Sequence, residues 1–171
     1  APTALMDTLV TPVVAELMAR FPKLKPELLG DDQYLNLVEH DIDLAIRVGN
    51  SPDSNLKQKR IGTFRDVLCC RADLDTTDIS TLPYIANHWQ GKLIQHSFDI
   101  EGKQFEYETE ANCITNSFHS CLSLIESGAG IGIIPDFCLS QNYSNLIKVI
   151  PKANLPENPV YALYPFNSTT P

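Results

Sequence analysis

Residues 41–49 are the most informative stretch of this 171-residue chain, and they read Asp41-Ile-Asp-Leu-Ala-Ile-Arg-Val-Gly49. A short apolar run rich in β-branched residues is typical of a strand buried on both faces, as in the parallel sheets of α/β proteins. Arg47 interrupts this run. A guanidinium at the end of a buried strand must reach the edge of the sheet, pair with another side chain or bind an anion. Because ligands in open α/β sheets lie at the carboxyl ends of strands, the stretch predicts both an architecture and a site.

Helical and strand patterns alternate along the rest of the chain. Apolar residues recur every four positions from Leu5 to Phe21, which predicts a helix over residues 3–21 that kinks or restarts at Pro12. Alternating residues on either side of residues 101–103 predict a β-hairpin over 98–109. Further strands are predicted over residues 25–29, 43–48, 82–86, 131–134, 146–150 and 160–164, and further helices over 34–39, 117–127 and 136–141. This alternation favours parallel sheets covered by helices.

Composition and charge exclude several classes of protein. The chain carries a formal net charge of -8 and is 43% hydrophobic, so it is typical of a folded protein and lacks the basic face that nucleic-acid binding needs. No apolar run approaches the ~20 residues that span a bilayer. The opening residues include neither an initiator Met nor a basic signal-peptide region, so we expect a fragment or a processed product.

The reactive side chains form no recognisable catalytic or metal site. The five cysteines have no C-x-x-C spacing, and they are Cys69, Cys70, Cys113, Cys121 and Cys138. We therefore predict reduced, buried thiols in a cytosolic protein, with redox sensing left as an alternative. The four histidines are scattered, and no nucleophile has a base beside it. The sequence thus predicts no metal, no cofactor and no enzymatic activity.

Two motifs follow one another at a defined spacing. The first comprises residues 40–49 followed by 53–56, and the second reads Gly128-Ala-Gly-Ile-Gly-Ile-Ile-Pro-Asp-Phe137. Together with the segments at 21–22, 60–62, 65–68 and 116–117, they cover most of the chain. In this respect the chain resembles the effector-binding domain of LysR-type transcriptional regulators.

The resemblance implies a fold and a domain division. The expected fold is α/β, with two Rossmann-like lobes of the periplasmic-binding-protein type II and a central cleft for a small molecule. Residues 1–66 and 144–171 would form the first lobe, and residues 67–143 the second. The DNA-binding winged helix-turn-helix of the family would be absent from this fragment. Residues 87–97 match no pattern of the family, and Trp89 within them is either a lobe-core residue or a wall of the pocket.

The resemblance also implies five effector-binding residues, which are Thr3, Asp31, Arg47, Asn116 and Ser117. Each has a purely structural alternative. Thr3 would simply cap the first helix, and Asn116 or Ser117 would cap the helix that follows them. Arg47 would pair with Asp31, Asp32 or Asp43, and Asp31 and Asp32 would otherwise cap a loop.

The three glycines of the second motif invite comparison with a phosphate-binding loop. Nucleotide loops follow a strand and open a helix, whereas Gly128, Gly130 and Gly132 follow a helix and run into a strand. We therefore predict a helix stop followed by close helix–strand packing.

The functional expectation is a ligand-sensing domain of a bacterial, cytoplasmic transcriptional regulator. Its partners would be a small-molecule effector, such as an organic anion, and a second copy of the chain that packs helix 3–21 against helix 117–127. DNA would be reached only through the missing N-terminal domain, and no membrane contact is expected. The alternatives are a solute-binding protein of a transporter, which would share the fold, and an enzyme such as a lyase.

Overall fold

The computed structural model describes residues 1–32, 37, 39–49, 56–141, 143 and 145–165. The chain divides into two compact units, one formed by Ala1–Thr63 with Asn158–Pro171 and the other by Phe64–Glu157. The sequence-based division instead places residues 64–66 and 144–157 in the first lobe. Residues 145–157 group with the second unit because the strands Leu146–Lys148 and Ala153–Asn154 both hydrogen-bond to strands of that unit.

The predicted opening helix is confirmed, and it consists of three segments. Helix α1, Thr3–Leu5, leads into a π-helical turn over Met6–Val10 and then into helix α2, Thr11–Arg20. Pro12 lies in the first turn of α2, where its missing N–H is tolerated. A regular α-helix would bring the Pro12 ring against the carbonyl of the residue four positions before it. The wider π turn precedes this position, so the helix restarts at Thr11.

Strand β1 of the first unit covers Ala45–Val48, inside the predicted 43–48. The expectation of a parallel strand buried on both faces is wrong, since β1 pairs antiparallel with strand β9, Glu157–Pro165. Val48 is exposed, whereas Ala45 packs with Leu163 in the small core of this unit. The run therefore covers one side of the core only, and β9 is hydrogen-bonded in turn to strand β2, Leu56–Arg71.

The strand predicted over residues 25–29 is also wrong. No strand is assigned there, and residues 24–30 are irregular. Two backbone bonds still hold the end of this segment, because the Ala1 amino group donates to the Leu29 carbonyl and the Asp31 N–H donates to the Ala1 carbonyl. Most of the helix predicted over 34–39 and most of the loop predicted over 49–55 lie outside the described residues.

A four-stranded sheet forms the centre of the second unit. Its order is β3-β5-β4-β8, where β3 is Tyr84–Asn87, β4 is Leu93–Ile100, β5 is Lys103–Thr115 and β8 is Ala153–Asn154. Strands β4 and β5 are the predicted hairpin, longer than expected. Glu101 and Gly102 both have positive φ, as a two-residue type I′ turn requires. Strands β3 and β5 run parallel, so their carboxyl ends lie at the same edge.

The end of β2 joins a second group of strands in the same unit. It pairs antiparallel with β6, Gly132–Pro135, and with β7, Leu146–Lys148. Helix α3, Phe118–Glu126, and helix α4, Asp136–Gln141, confirm the two helices predicted in this region. The largest fully buried side chains of the unit include Tyr84, Phe98, Ile94, Ile125, Ile131 and Ile134.

The glycines of the second motif have the packing role that the sequence predicts. Gly128 follows α3 with a φ of 82°, as expected of a helix-ending residue. A Cβ on Gly130 would lie 2.1 Å from the Pro83 carbonyl oxygen, and one on Gly132 would lie 2.6 Å from the Ile85 carbonyl oxygen. Only glycine therefore lets this segment approach the backbone around β3 so closely.

The cysteines lie mainly in the interior of the second unit. All five are free, and Cys113 alone is not fully buried. Burial raises the pKa of Cys121 and of Cys138 to about 12, and it also raises that of Cys69. Because the thiolate is the reactive form, these buried thiols are poor nucleophiles at neutral pH.

Candidate functional site

Two hydrogen bonds join Thr3 to Asp32 in the first unit. The Thr3 N–H donates to Asp32 Oδ1 at 2.9 Å, and the Thr3 hydroxyl donates to Asp32 Oδ2 at 3.0 Å. Thr3 is the first helical residue rather than the cap, and the residue before it, Pro2, offers no side-chain hydrogen bond. A carboxylate from another part of the chain therefore occupies both donors of Thr3 at the start of the helix.

Arg47 and Asp31 belong to the same group of charges. Burial, followed by the positive charge of Arg47, lowers the pKa of the Ala1 amino group, while the charges of Asp31 and Asp32 raise it. Both aspartates and Arg47 therefore lie within electrostatic range of the Ala1 amino group. Arg47 is half-buried and Asp31 is exposed. Three of the five predicted residues, Thr3, Asp31 and Arg47, are thus neighbours in the first unit.

The other two predicted residues, Asn116 and Ser117, connect β5 to α3 in the second unit. Ser117 is the N-cap of α3, and its Oγ accepts a hydrogen bond from the Ser120 N–H at 3.2 Å. The Ser117 N–H donates in turn to Thr115 Oγ1 at 3.1 Å. Asn116 is exposed. The capping role considered for Ser117 is therefore present, and a cap leaves other N–H groups of the first turn available.

Sequence reasoning missed two features of these groups. The sequence suggests Asp32 as a loop cap, a partner of Arg47 or a ligand contact, but not as the residue that accepts from both donors of Thr3. No local pattern identifies that contact, because 29 residues separate the two partners. Trp89 could not be placed at all, and it is 62% exposed, which excludes a lobe-core role. The parallel register of β3 and β5 shows where Trp89 lies, at the carboxyl edge of the sheet. A single sequence does not reveal this strand pairing.

Other parts of the described structure carry less chemistry. A recess of about 200 Å³ in the second unit contains none of the five predicted residues. It is lined in part by Arg65, whose guanidinium already donates to the Leu155 carbonyl and to Glu157, both at 2.9 Å. Among the described residues, no three His, Cys, Asp or Glu side chains are grouped as a metal site would require. No helix in the described part of the chain is long and apolar enough to cross a membrane.

Known protein sequences identify the relatives of this chain. It is 26% identical over 175 residues to the HTH-type transcriptional regulator PtxR of Pseudomonas aeruginosa, with 96% of this chain and 56% of PtxR covered. It is 25% identical to the HTH-type transcriptional activator AaeR of Escherichia coli, with 89% and 52% covered. The chain therefore spans about half the length of these curated relatives. Both relatives are named as transcriptional regulators.

Solved structures show the same fold. The CrgA regulatory domain of Neisseria meningitidis, a LysR-type regulator, matches with a TM-score of 0.81 at 20% identity, covering 99% of this chain and 88% of that one. Full-length AphB of Vibrio cholerae matches with a TM-score of 0.81 at 19% identity, covering 99% and 61%. The predicted two-lobed α/β fold of the periplasmic-binding-protein type is thus confirmed.

One family model accounts for the whole sequence. The model described as the LysR substrate binding domain matches residues 1–171. This match extends over both compact units and over both sequence motifs. The chain therefore belongs to the LysR substrate-binding domain family.

Proposed function

We propose that the chain senses a small-molecule effector for a DNA-binding transcriptional regulator that acts in the cytoplasm. The observation that carries this proposal is the family match over all 171 residues, together with relatives that are HTH-type regulators. DNA would be bound by a separate domain, since this chain has a net charge of -8. The role is ligand recognition rather than catalysis or membrane transport.

We further propose effector contacts within each unit. They are Thr3, Asp31 and Arg47 in the first unit, and Asn116 with Ser117 in the second. Arg47 and the N–H groups at the start of α3 favour a ligand that carries negative charge, such as an organic anion. Thr3 would engage such an anion only if the Asp32 carboxylate were displaced, because Asp32 holds both of its donors.

Sensing would operate by a shift of population. An effector that binds one arrangement of the chain more tightly than another moves the equilibrium by the difference in binding free energy. A rearrangement of the sensing domains would then reorient the DNA-binding domains attached to them in an oligomer. Nothing in this mechanism requires a metal or a cofactor.

The exposed face of the opening helix supports a homodimer. Large apolar side chains that are each 39–56% exposed lie along it, namely Leu9, Val13, Leu17, Met18 and Phe21. Such a contiguous apolar patch marks an interaction surface. The exposed residues of α3, His119, Ser120 and Ser123, are polar. The apolar contact expected on both helices is therefore supported for the opening helix alone.

A thermal-shift screen of metabolites tests the proposed function. A ligand at 100 times its Kd stabilises the folded chain by about 2.7 kcal/mol, which is readily measured as a rise in Tm. We expect at least one small organic anion to produce such a rise, and we expect Thr3→Ala to reduce it. If no metabolite stabilises the chain, the proposal of effector sensing is wrong. If Thr3→Ala leaves every shift unchanged, the placement of the site is wrong.

A further inference from the structure

Trp89 is unusually exposed for the single tryptophan of a folded chain. It is 62% exposed on the short 3-10 turn His88–Gln90, directly after strand β3. Tryptophan is largely buried in most folded proteins because its ring system is large and apolar. The indole at this position is therefore accessible to a binding partner.

A buried polar network fixes the turn that carries Trp89. The Asn87 N–H donates to Gln90 Oε1 at 2.9 Å, and Gln90 Nε2 donates to the Tyr84 hydroxyl at 2.9 Å. The Tyr84 hydroxyl lies 2.7 Å from His96 Nε2. Tyr84 is fully buried and Asn87 is 7% exposed. These hydrogen bonds fix the backbone of the turn, so Trp89 stays in its exposed position. Pre-organised binding sites need such support.

The sheet places Trp89 at the same edge as two residues proposed above to contact the effector. Strands β3 and β5 are parallel, with Asn87 opposite Thr115. Neighbouring strands lie about 4.8 Å apart. Trp89 comes two residues after Asn87, and Asn116 and Ser117 come one and two residues after Thr115, so all three lie at the same edge of the sheet. Ligands of α/β proteins bind outside such carboxyl ends of strands.

We propose that Trp89 is the platform on which a planar, unsaturated ring of the effector stacks. Asn116 and the α3 N-terminus at the same sheet edge would hold the polar substituent of that ring. This inference rests on the proposed function and adds a chemical class to its ligand. Stacking of aromatic faces strengthens binding beyond simple burial, by about three- to tenfold over a saturated ring of similar size.

The intrinsic fluorescence of the chain gives a direct readout, because Trp89 is its only tryptophan. The probes are two matched pairs of carboxylates: benzoate with cyclohexanecarboxylate, and phenylacetate with cyclohexylacetate. We expect an unsaturated member to change the Trp89 emission and to bind about three- to tenfold more tightly than its saturated twin. In thermal-shift titrations, Trp89→Leu should abolish this preference, whereas Trp89→Phe, which keeps a ring, should retain most of it.

Several results would overturn the inference. One is equal binding within each pair, and another is a preference that survives in Trp89→Leu. Failure of both unsaturated probes to bind in the millimolar range, or a Trp89-dependent self-association seen by sedimentation in place of ring binding, would also overturn it. A metabolite that stabilises the chain without altering Trp89 emission would reject the stacking platform and leave the proposed function standing. The absence of any stabilising metabolite would reject the proposed function itself.

Discussion

Asp32 accepts both hydrogen bonds that Thr3 offers, from the backbone N–H at 2.9 Å and from the hydroxyl at 3.0 Å. The carboxylate thereby satisfies the first orphan donor of the opening helix and places negative charge at its positive end. An anionic effector at Thr3 would have to replace this internal anion. Asp32 is therefore a structural cap that would compete with an anionic ligand at Thr3, and this predicts two effects of opposite sign.

We predict that Asp32→Ala destabilises the chain but strengthens the binding of an anionic effector. Loss of a cap of this kind costs about 1 kcal/mol, which denaturant unfolding would detect. The same substitution frees the two donors of Thr3 and removes a like charge, so the Kd measured by titration should fall. Glu16→Ala is the matched control, because it removes one exposed carboxylate of the same helix without touching Thr3. Weaker binding in Asp32→Ala would instead make Asp32 a ligand contact.

Gly130→Ala should destabilise the second unit strongly. The added methyl group would lie 2.1 Å from the Pro83 carbonyl oxygen, so either the loop or β3 must move. We expect a loss of about 2–4 kcal/mol in the free energy of unfolding. Gly62→Ala is the control, since a Cβ there meets nothing within 4 Å, and its effect should stay within about 0.5 kcal/mol. Similar stabilities for the two variants would contradict the close packing described at Gly130.

Stability should depend on pH through His96. Gln90 donates to the Tyr84 hydroxyl, so this hydroxyl is free to donate to the neutral His96 Nε2 at 2.7 Å. Burial lowers the pKa of His96 below its ordinary 6.5. The unfolded chain therefore binds the proton first as pH falls. Neutral His96 makes its full contribution to the free energy of unfolding above pH 6.5. This contribution is lost as the pH falls towards the lowered pKa of His96 in the folded chain.

The variant His96→Gln should remove this part of the pH dependence of Tm while keeping a polar partner for Tyr84. If Tm depends on pH in His96→Gln as it does in the wild-type chain, a group other than His96 causes the pH dependence in this range.

The opening helix should mediate self-association. Asp at Val13 and Leu17 would place two charges on its exposed apolar face, and burying those charges in an interface costs several kcal/mol. In sedimentation equilibrium we expect the double substitution Val13→Asp, Leu17→Asp to give monomers where the wild-type chain gives dimers. Ile61→Asp changes an equally exposed apolar residue on β2 of the same unit and should leave the dimer intact. Dimers in the double variant would assign the interface to another surface.

Local signals along the sequence predicted much of the fold. The helix from Thr3 follows from a four-residue apolar period, its restart from Pro12, and the end of α3 from Gly128. These features depend on neighbouring residues alone, so a single sequence contains them. The hairpin turn at Glu101 and Gly102 is of the same kind.

Features that depend on distant partners were not predictable in this way. An apolar run such as residues 45–48 is compatible with parallel or antiparallel neighbours, and only the pairing with β9 decides which. Likewise, the two bonds between Thr3 and Asp32 join residues 29 positions apart. The common sheet edge of Trp89 and Asn116 follows only from the register of β3 with β5. The family resemblance implies the five site residues, but it does not reveal that Asp32 occupies the hydrogen-bond donors of Thr3.

The central claim is that the chain binds a small-molecule effector through its proposed polar residues, and calorimetric titration of an effector found in the thermal-shift screen tests it most directly. The experiment compares the wild-type chain with Arg47→Gln in the first unit and with Asn116→Ala in the second. Loss of a charge-assisted hydrogen bond costs about 1.5–3 kcal/mol and loss of a neutral one about 1 kcal/mol. We therefore predict Kd to rise at least tenfold in Arg47→Gln and about fivefold in Asn116→Ala. A Kd that is unchanged in either variant would contradict the account.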